Sequence, residues 1–269
     1  MTVHDYSQLN TAISVKEQSF LSRANLVQLL NAVDDEQLAL YLEGTPYGVP
    51  LAEIRQHDVL DQTIMKALAA DYDFAYQQCP DPNLVNVFGL KYVYHNLKLF
   101  LKMRAIGRDL SHLLIPIGPY PLEALKHLSL TLESDLCDPL IVEEVAQTWS
   151  EYKDYENTVA IDMGMDSAYF RHLRVIADQS DLPLLQELVD AKIDFFNAIT
   201  ALRALAQDKP NSFAYQLMSR KGTKRPKEML HLAKEGQLAS WFNAFNALPY
   251  TKVFDSYVES MQAGKIQAS

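Results

Sequence analysis

Glycine is scarce in this chain, with nine residues among 269, whereas average usage is about 7%. Few glycines leave few positions for left-handed backbone, and this argues against a protein built from β-hairpins. Cysteine is scarcer still, because Cys79 and Cys137 are the only two. Two cysteines make no disulfide framework, and they fit a reducing compartment.

Long apolar runs and an excess of basic charge are also lacking. No window approaches about 18 uninterrupted apolar residues, so the sequence predicts no membrane span. The opening MTVHDYSQLN has no signal-peptide pattern. The 24 Lys and Arg residues against 34 Asp and Glu residues give a net charge of −10. That balance disfavours nucleic-acid binding, which needs cations to replace counterions on phosphate. We therefore expect an acidic, cytoplasmic globular protein.

The motifs of common catalytic sites are missing too. Neither a G-x-x-x-x-G-K-[ST] loop nor a G-x-G-x-x-G turn occurs, and the nearest string, KGTK at 221–224, has the wrong order. One Glu-x-x-His is present at Glu228 and His231, whereas a di-iron bundle needs that motif twice. Asp162 and Asp166 can be read as an acid–base pair, but their spacing around a glycine is more typical of a turn and a helix cap. The sequence thus predicts no catalytic residue, cofactor or metal.

Helical periodicity runs through most of the sequence. Apolar residues recur every three or four positions in two long stretches, one from Val93 and one from Leu184. Strand-like alternation is nearly absent, so the predicted fold class is all-α. Asp166 is expected to cap a helix that follows a break at DMGMD (162–166). Besides the helix after Val93 and one from Pro183 to Ala206, helices are predicted at 6–21, 24–31, 34–43, 58–76, 121–132, 138–156, 227–233, 237–246 and 252–261.

A faint repeat links distant parts of the chain. Tyr94-His95-Asn96 opens a stretch that carries Arg104-Ala105 and then PLEAL at 121–125. Phe195-Phe196-Asn197 opens a stretch that carries Arg203-Ala204 and then PKEML at 226–230. A weaker third copy begins at Leu9-Asn10, and the offsets between successive asparagines are 86 and 101. Repeats of this length predict one helical unit multiplied into a ring or solenoid, with chance similarity among helices as the alternative.

Two groups of cations stand out. The SRKGTKRPK segment (219–227) is either a patch for acidic protein surface or lipid headgroups, or a solvated loop. The solvated loop is favoured because no aromatic residues are interleaved. Lys98 and Lys102 share one face of a predicted helix. Arg104 and Arg108 share another face, near the apolar stripe, where an arginine is either paired within the chain or presented to a partner.

Five stretches carry recognisable motifs in a fixed order along the chain. They are YSQLNTAISVKEQSFLSRANLVQLL (6–30), Y-x-N-L-K-x-x-L-K with D-L-S-x-L-L-I-P-x-G (94–118), I-D-x-x-M-D-x-x-Y-F (161–173), I-D-x-x-N (189–204) and EGQLASWFNAFNALPY (235–250). Together they resemble the C-subunit family of bacterial and archaeal V/A-type rotary ATPases, which is related to the d subunit of eukaryotic vacuolar ATPases. The ordered set covers nearly the whole chain.

The resemblance implies a fold and a function. It implies a funnel of three similar helical units around a pseudo-threefold axis, at 1–78, 79–180 and 181–269, with the third unit incomplete because family chains are commonly longer. It also implies a non-catalytic rotor subunit between the central stalk and the membrane proteolipid ring, on the cytoplasmic face. The implied partners are the D and F subunits of the central stalk and the ring. The coupled ion, H⁺ or Na⁺, and the direction of operation stay open.

Six repeated polar residues are the candidates for partner binding. They are Asn10, Asn96, Arg104, Arg108, Asn197 and Arg203. The alternative is that a repeated Asn or Arg bonds helix ends within each unit. Two other functions are kept beside the rotor interpretation: a cytosolic all-α adaptor that binds an amphipathic partner helix, and an all-α enzyme that uses Glu228 and His231 with a metal.

Overall fold

The computed structural model describes residues 5–238 and 240–241, and within these residues the chain is helical with no strand. The all-α prediction is therefore confirmed. The chain divides into two compact units, Met1–Asp138 and Pro139–Ser269. The described helices include none with the length and apolar character needed to cross a membrane. The division into three units stays a prediction.

The first unit is dominated by one long buried helix. Its described elements are α1 Ser7–Glu17, α2 Arg23–Leu30, α3 Asp35–Leu42, α4 Leu51–Ile54, α5 His57–Gln78, α6 Pro82–Ile106, a 3-10 turn Ser111–Leu113 and α7 Leu122–Thr131. Val93, Leu97 and Leu101 of α6 are fully buried, as is Leu128 of α7. Their spacing of four residues places these α6 side chains on one helix face. A smaller core around Leu42, Val49 and Ile54 lies beneath α2 and α3.

The second unit is built around a helical hairpin and a long helix that follows it. Its described helices are α8 Pro139–Tyr155, α9 Thr158–Gln179, α10 Pro183–Ala206, α11 Asn211–Leu217 and α12 Pro226–Lys234. Small residues of α10, including Ala198 and Ala201, pack against Met229 and Leu230 of α12. Alanine at these positions lets the two helices approach closely, because no bulky side chain separates their backbones.

Several helices begin or end at residues whose type favours a helix boundary. Asp34 caps α3 by accepting the Gln37 amide at 2.8 Å. Pro183 and Pro226 occupy first-turn positions. Gly107, with φ 65°, ends α6 in the left-handed region. Arg108 therefore lies beyond the helix, and the prediction that it shares a helix face with Arg104 is wrong.

The predicted break at 162–166 is also wrong. Both Asp162 and Asp166 lie inside α9, so neither begins a turn and Asp166 caps no helix. The glycine between them has a packing role instead, since a Cβ at Gly164 would lie 2.5 Å from Oγ1 of Thr148 on α8. Glycine is tolerated there because it allows α8 and α9 to pack closely, and tertiary packing overrides its weak helix propensity.

The repeat is present in the structure as two copies of one helical arrangement. Helices α5 and α9 are both 22 residues long and begin 101 residues apart. Their successors α6 and α10 begin at Pro82 and Pro183, again 101 residues apart. Each long helix is followed by a short helical element and then by a packed helix, α7 or α12. The third copy at Asn10 stays a prediction, and of the helices predicted at 237–246 and 252–261 only the start of the first lies within the described residues.

Candidate partner-binding site

The first candidate residue, Asn96, fastens the loop after α6 to the helix. Its side chain is buried. Its Nδ2 donates to the carbonyl of Ile115 at 2.6 Å, and its Oδ1 accepts from the Ile115 amide at 2.9 Å. One side chain therefore satisfies both backbone groups of one loop residue, which fixes the loop where no regular ladder is available. We call this arrangement the asparagine brace.

The second unit contains the same brace at the equivalent position. Asn197, 101 residues after Asn96, is fully buried. Its Nδ2 donates to the Ser219 carbonyl at 2.9 Å, and its Oδ1 accepts from the Ser219 amide at 2.8 Å. Both asparagines thus bond the chain internally, although to a loop residue and not to a helix end as the alternative interpretation held. Partner contact through either of them stays a prediction.

A buried carboxylate reinforces the second brace. Asp194 lies one helical turn before Asn197, and its Oδ1 accepts from the amides of Thr223 at 2.9 Å and Lys224 at 3.4 Å. The Thr223 hydroxyl donates to the other carboxylate oxygen. Burial raises the pKa of Asp194, Asp190 adds to the rise, and the hydrogen bonds from Thr223 and Lys224 oppose it. Asp194 and Asn197 together hold the basic segment 219–227 in one shape.

Asp194 is a residue that sequence reasoning missed. A signal was present, because a carboxylate three positions before the repeated asparagine lies on the same helix face. An acidic residue on the buried face of an apolar helix needs hydrogen-bond partners. The glycine- and threonine-containing segment at 221–224 provides them. The backbone amides of Thr223 and Lys224 donate to Asp194.

Arg104 and Arg203 are not equivalent residues. Arg104 lies eight residues after Asn96, whereas Arg203 lies six residues after Asn197, so the repeat does not superpose them. Arg104 is half-buried and donates from Nη1 to the Ser129 carbonyl at 2.7 Å. That carbonyl lies in the last turn of α7, where a cation is favourable. Arg203 is exposed in the last turn of α10.

The remaining two candidates are exposed in the first unit. Arg108 follows Gly107 in the loop after α6, and Asn10 lies on α1. Helix α1 is attached to α5 by the Lys16–Asp71 ion pair at 2.8 Å. The six predicted residues are therefore divided between the two units. They also divide by environment, since three of them are exposed: Asn10, Arg108 and Arg203.

The residues of the metal-enzyme alternative have other partners. Glu228 accepts from the Arg225 guanidinium at 2.6 Å and from the Arg225 amide at 3.2 Å. These bonds lower the pKa of Glu228 and close the first turn of α12. His231 lies 4.0 Å from Glu235 on the same helix. Among residues 5–238 and 240–241, no group of three or more His, Cys, Asp or Glu side chains is placed to hold a metal ion.

These features define a class of protein. It is a duplicated helical scaffold whose buried polar side chains fix surface loops. The chain matches the model of the ATP synthase (C/AC39) subunit family over residues 9–268 and belongs to that family. Membership makes it a non-catalytic subunit of a V/A-type ATPase complex, which confirms the family resemblance of its motifs.

Two known relatives show how far the similarity extends. The chain is 26% identical over 265 residues to the C subunit of the V-type sodium ATPase of Enterococcus hirae, a match that covers 96% of this chain and 78% of the relative. It is 25% identical over 225 residues to the C subunit of the A-type ATP synthase of Methanocaldococcus jannaschii. That second match covers 75% of this chain and 54% of the relative, so the chain spans about half the length of the archaeal protein.

Proposed function

We propose that this chain is the central-stalk component that links the rotor shaft of a V/A-type ATPase to the membrane proteolipid ring. It transmits torque for ion transport and itself performs no chemistry. Its partners are the D and F subunits of the central stalk and the ring, and it works on the cytoplasmic face of the membrane. The funnel of three units at 1–78, 79–180 and 181–269 belongs to the same proposal. The names of the bacterial and archaeal relatives, which are C subunits of a V-type sodium ATPase and of an A-type ATP synthase, support a place in such a complex.

The observation that carries the proposal is the asparagine brace in both units. A torque coupler needs a body that does not deform under load, and close-packed helices with low compressibility provide one. It also needs loops of fixed shape, because a flexible contact would absorb rotation. The brace fixes a loop directly to a buried long helix, α6 in one unit and α10 in the other.

The predicted contact residues take two roles in this proposal. The exposed residues Asn10, Arg108 and Arg203 touch partners directly. Asn96 and Asn197 position loops, and so does Arg104 through its bond to the end of α7. A variant of Arg104 therefore changes the fold of the first unit as well as any contact, and the exposed arginines give the cleaner test.

The test is a calorimetric titration of the chain with the purified complex of the D and F subunits from the same ATPase. Saturable one-to-one binding is expected. Arg108→Glu and Arg203→Glu are expected to weaken it, because an exposed charge at a contact is reversed. Arg23→Glu is the matched control, since Arg23 is exposed on α2 outside the candidate set.

The titration results distinguish the docking proposal from the assignment of individual contact residues. If wild-type protein binds neither the stalk complex nor the isolated ring, the docking proposal is refuted. If it binds but both variants bind as tightly as Arg23→Glu, then Arg108 and Arg203 are not contact residues. Circular dichroism of each variant shows whether helical content is retained.

A further inference from the structure

The two braced loops have equivalent positions but opposite chemistry. After the brace at Ile115 the chain continues PIGPYP (116–121), with no charged residue. After the brace at Ser219 it continues RKGTKRPK (220–227), with five cations and no acidic residue. The whole chain has a net charge of −10, so the residues outside this segment carry −15. The segment is therefore strongly positive, although the chain as a whole is negative.

The second loop shares two contacts with the uncharged first loop. Both loops place a glycine against the long helix three residues after the braced residue. A Cβ at Gly118 would lie 2.6 Å from Val93 Cγ2, and a Cβ at Gly222 would lie 2.3 Å from Asp194 Oδ1. Val93 and Asp194 are 101 residues apart, the same offset as the helices. An uncharged loop uses the same brace and glycine contact, so these contacts do not account for the cations, of which Arg225 alone also closes the first turn of α12 among the described residues.

The cations are available at the surface. Arg220 and Lys221 are exposed, and within the described residues neither has an ion-pair partner. Arg225 is exposed and pairs with Glu228 at 2.6 Å. Lys227 is exposed as well. Within the part of the chain that the structure describes, most of the positive charge of the segment is therefore not paired with a carboxylate.

A cavity of about 390 Å³ opens beside the first two cations. Its wall contains Arg220 and Lys221 together with the polar side chains of Ser167, Gln216 and Ser219. It also contains Arg171, which is bonded to the buried Glu144 and so adds little net charge. The cavity offers hydrogen-bond donors and uncompensated positive charge, a combination that suits a carboxylate.

We propose that the segment 219–227 and this cavity form a docking surface for an acidic segment of a partner protein, with one carboxylate side chain entering the cavity. The inference rests on the proposed function, since it assigns a partner chemistry to a docking protein. A lipid membrane is the poorer match. Electrostatic attraction fades over about 8 Å at physiological salt, and a wide anionic plane would face a chain that carries −15 outside these five cations. A narrow acidic segment is small enough to contact the basic segment alone.

The test uses a fluorescein-labelled oligoglutamate peptide as the probe and its oligoglutamine counterpart as the uncharged comparison. The full chain is expected to bind oligoglutamate in a salt-sensitive manner and to ignore oligoglutamine. Replacing both Arg220 and Lys221 with Gln should weaken binding about fivefold. The matched control replaces Lys126 and Lys153, two exposed lysines elsewhere, with Gln, and it should bind like wild type. Both variants have the same net charge.

A second variant separates shape from charge. Gly222→Ala keeps every cation but forces the loop away from Asp194, and it should also weaken oligoglutamate binding. Phosphatidylglycerol vesicles serve as the lipid probe. Binding to vesicles without binding to oligoglutamate would overturn the proposal, and so would an equal loss in the control variant.

The same variants are then titrated with the stalk complex and with the isolated ring. A wild-type chain that binds a partner, with the Arg220/Lys221 double variant binding equally well, overturns this inference and leaves the docking function standing. A wild-type chain that binds neither partner overturns the docking function itself. A double variant that loses one partner, while the control keeps both, supports the inference and shows which partner supplies the acidic segment.

Discussion

Replacing Asn197 with alanine is expected to destabilise the second unit more than Asn96→Ala destabilises the first. The Asn197 side chain is fully buried, and the residue it braces, Ser219, is also buried. Alanine would leave the amide and carbonyl of Ser219, a buried residue, without their Asn197 partners. Each unsatisfied buried backbone group costs about 1–3 kcal/mol, so the loss in the free energy of unfolding for the two groups should be about 2–6 kcal/mol.

The corresponding loss in the first unit should be smaller because the environment differs. Ile115, the residue braced by Asn96, is only half-buried, and water can reach its backbone groups after the side chain is removed. We expect about 1–2 kcal/mol for Asn96→Ala. Asn10→Ala is the surface control, and it should change the free energy of unfolding by less than about 0.5 kcal/mol.

Urea unfolding followed by far-ultraviolet circular dichroism measures these differences. The comparison holds for variants whose unfolding free energy has the same slope with urea concentration as wild type. The order of the losses is the sharp outcome, since it follows from the burial of the braced residue. A loss for Asn197→Ala that is no larger than the loss for Asn10→Ala would refute the brace. A larger loss for Asn96→Ala than for Asn197→Ala would refute the burial argument.

Three further predictions concern packing and titration. Gly164→Ala should lower the free energy of unfolding by about 1–3 kcal/mol through overpacking against Thr148. Adding Thr148→Ala to the same chain should recover part of that loss, and a double variant whose loss is the sum of the two single losses would contradict the contact. Burial raises the pKa of Asp194, so its stabilising contribution is full below its unfolded value of about 3.8 and is lost as pH rises through the folded value. Between about pH 4 and pH 7, the free energy of unfolding measured in urea should therefore rise for Asp194→Asn relative to wild type. A difference that stays constant with pH would contradict this. Burial also raises the pKa of Tyr72 to about 12, so wild type should lose stability as pH rises from about 10 through 12, and Tyr72→Phe should lose less over the same range.

The prediction of the fold succeeded where the signal is local. Pro183 and the apolar period after it fix both ends of α10 at Pro183 and Ala206, because first-turn proline and side-chain periodicity act within one helix. The prediction failed at Gly164 because the signal there is not local. A glycine in a helix can be recognised only when its neighbour is known, and the neighbour here is Thr148 on another helix.

The candidate site likewise has features that the sequence predicts and others that only the structure shows. The sequence by itself determined the helical class, the family and the positions of the repeated asparagines. It did not distinguish Arg104, which bonds the end of α7, from Arg203, which is exposed. Nor did it show that Asn197 and Asp194 fix the basic segment 219–227 in one shape. Those bonds join residues more than 20 positions apart, so only the tertiary structure, by bringing a loop back onto its helix, decides which polar residues hold the fold and which are exposed.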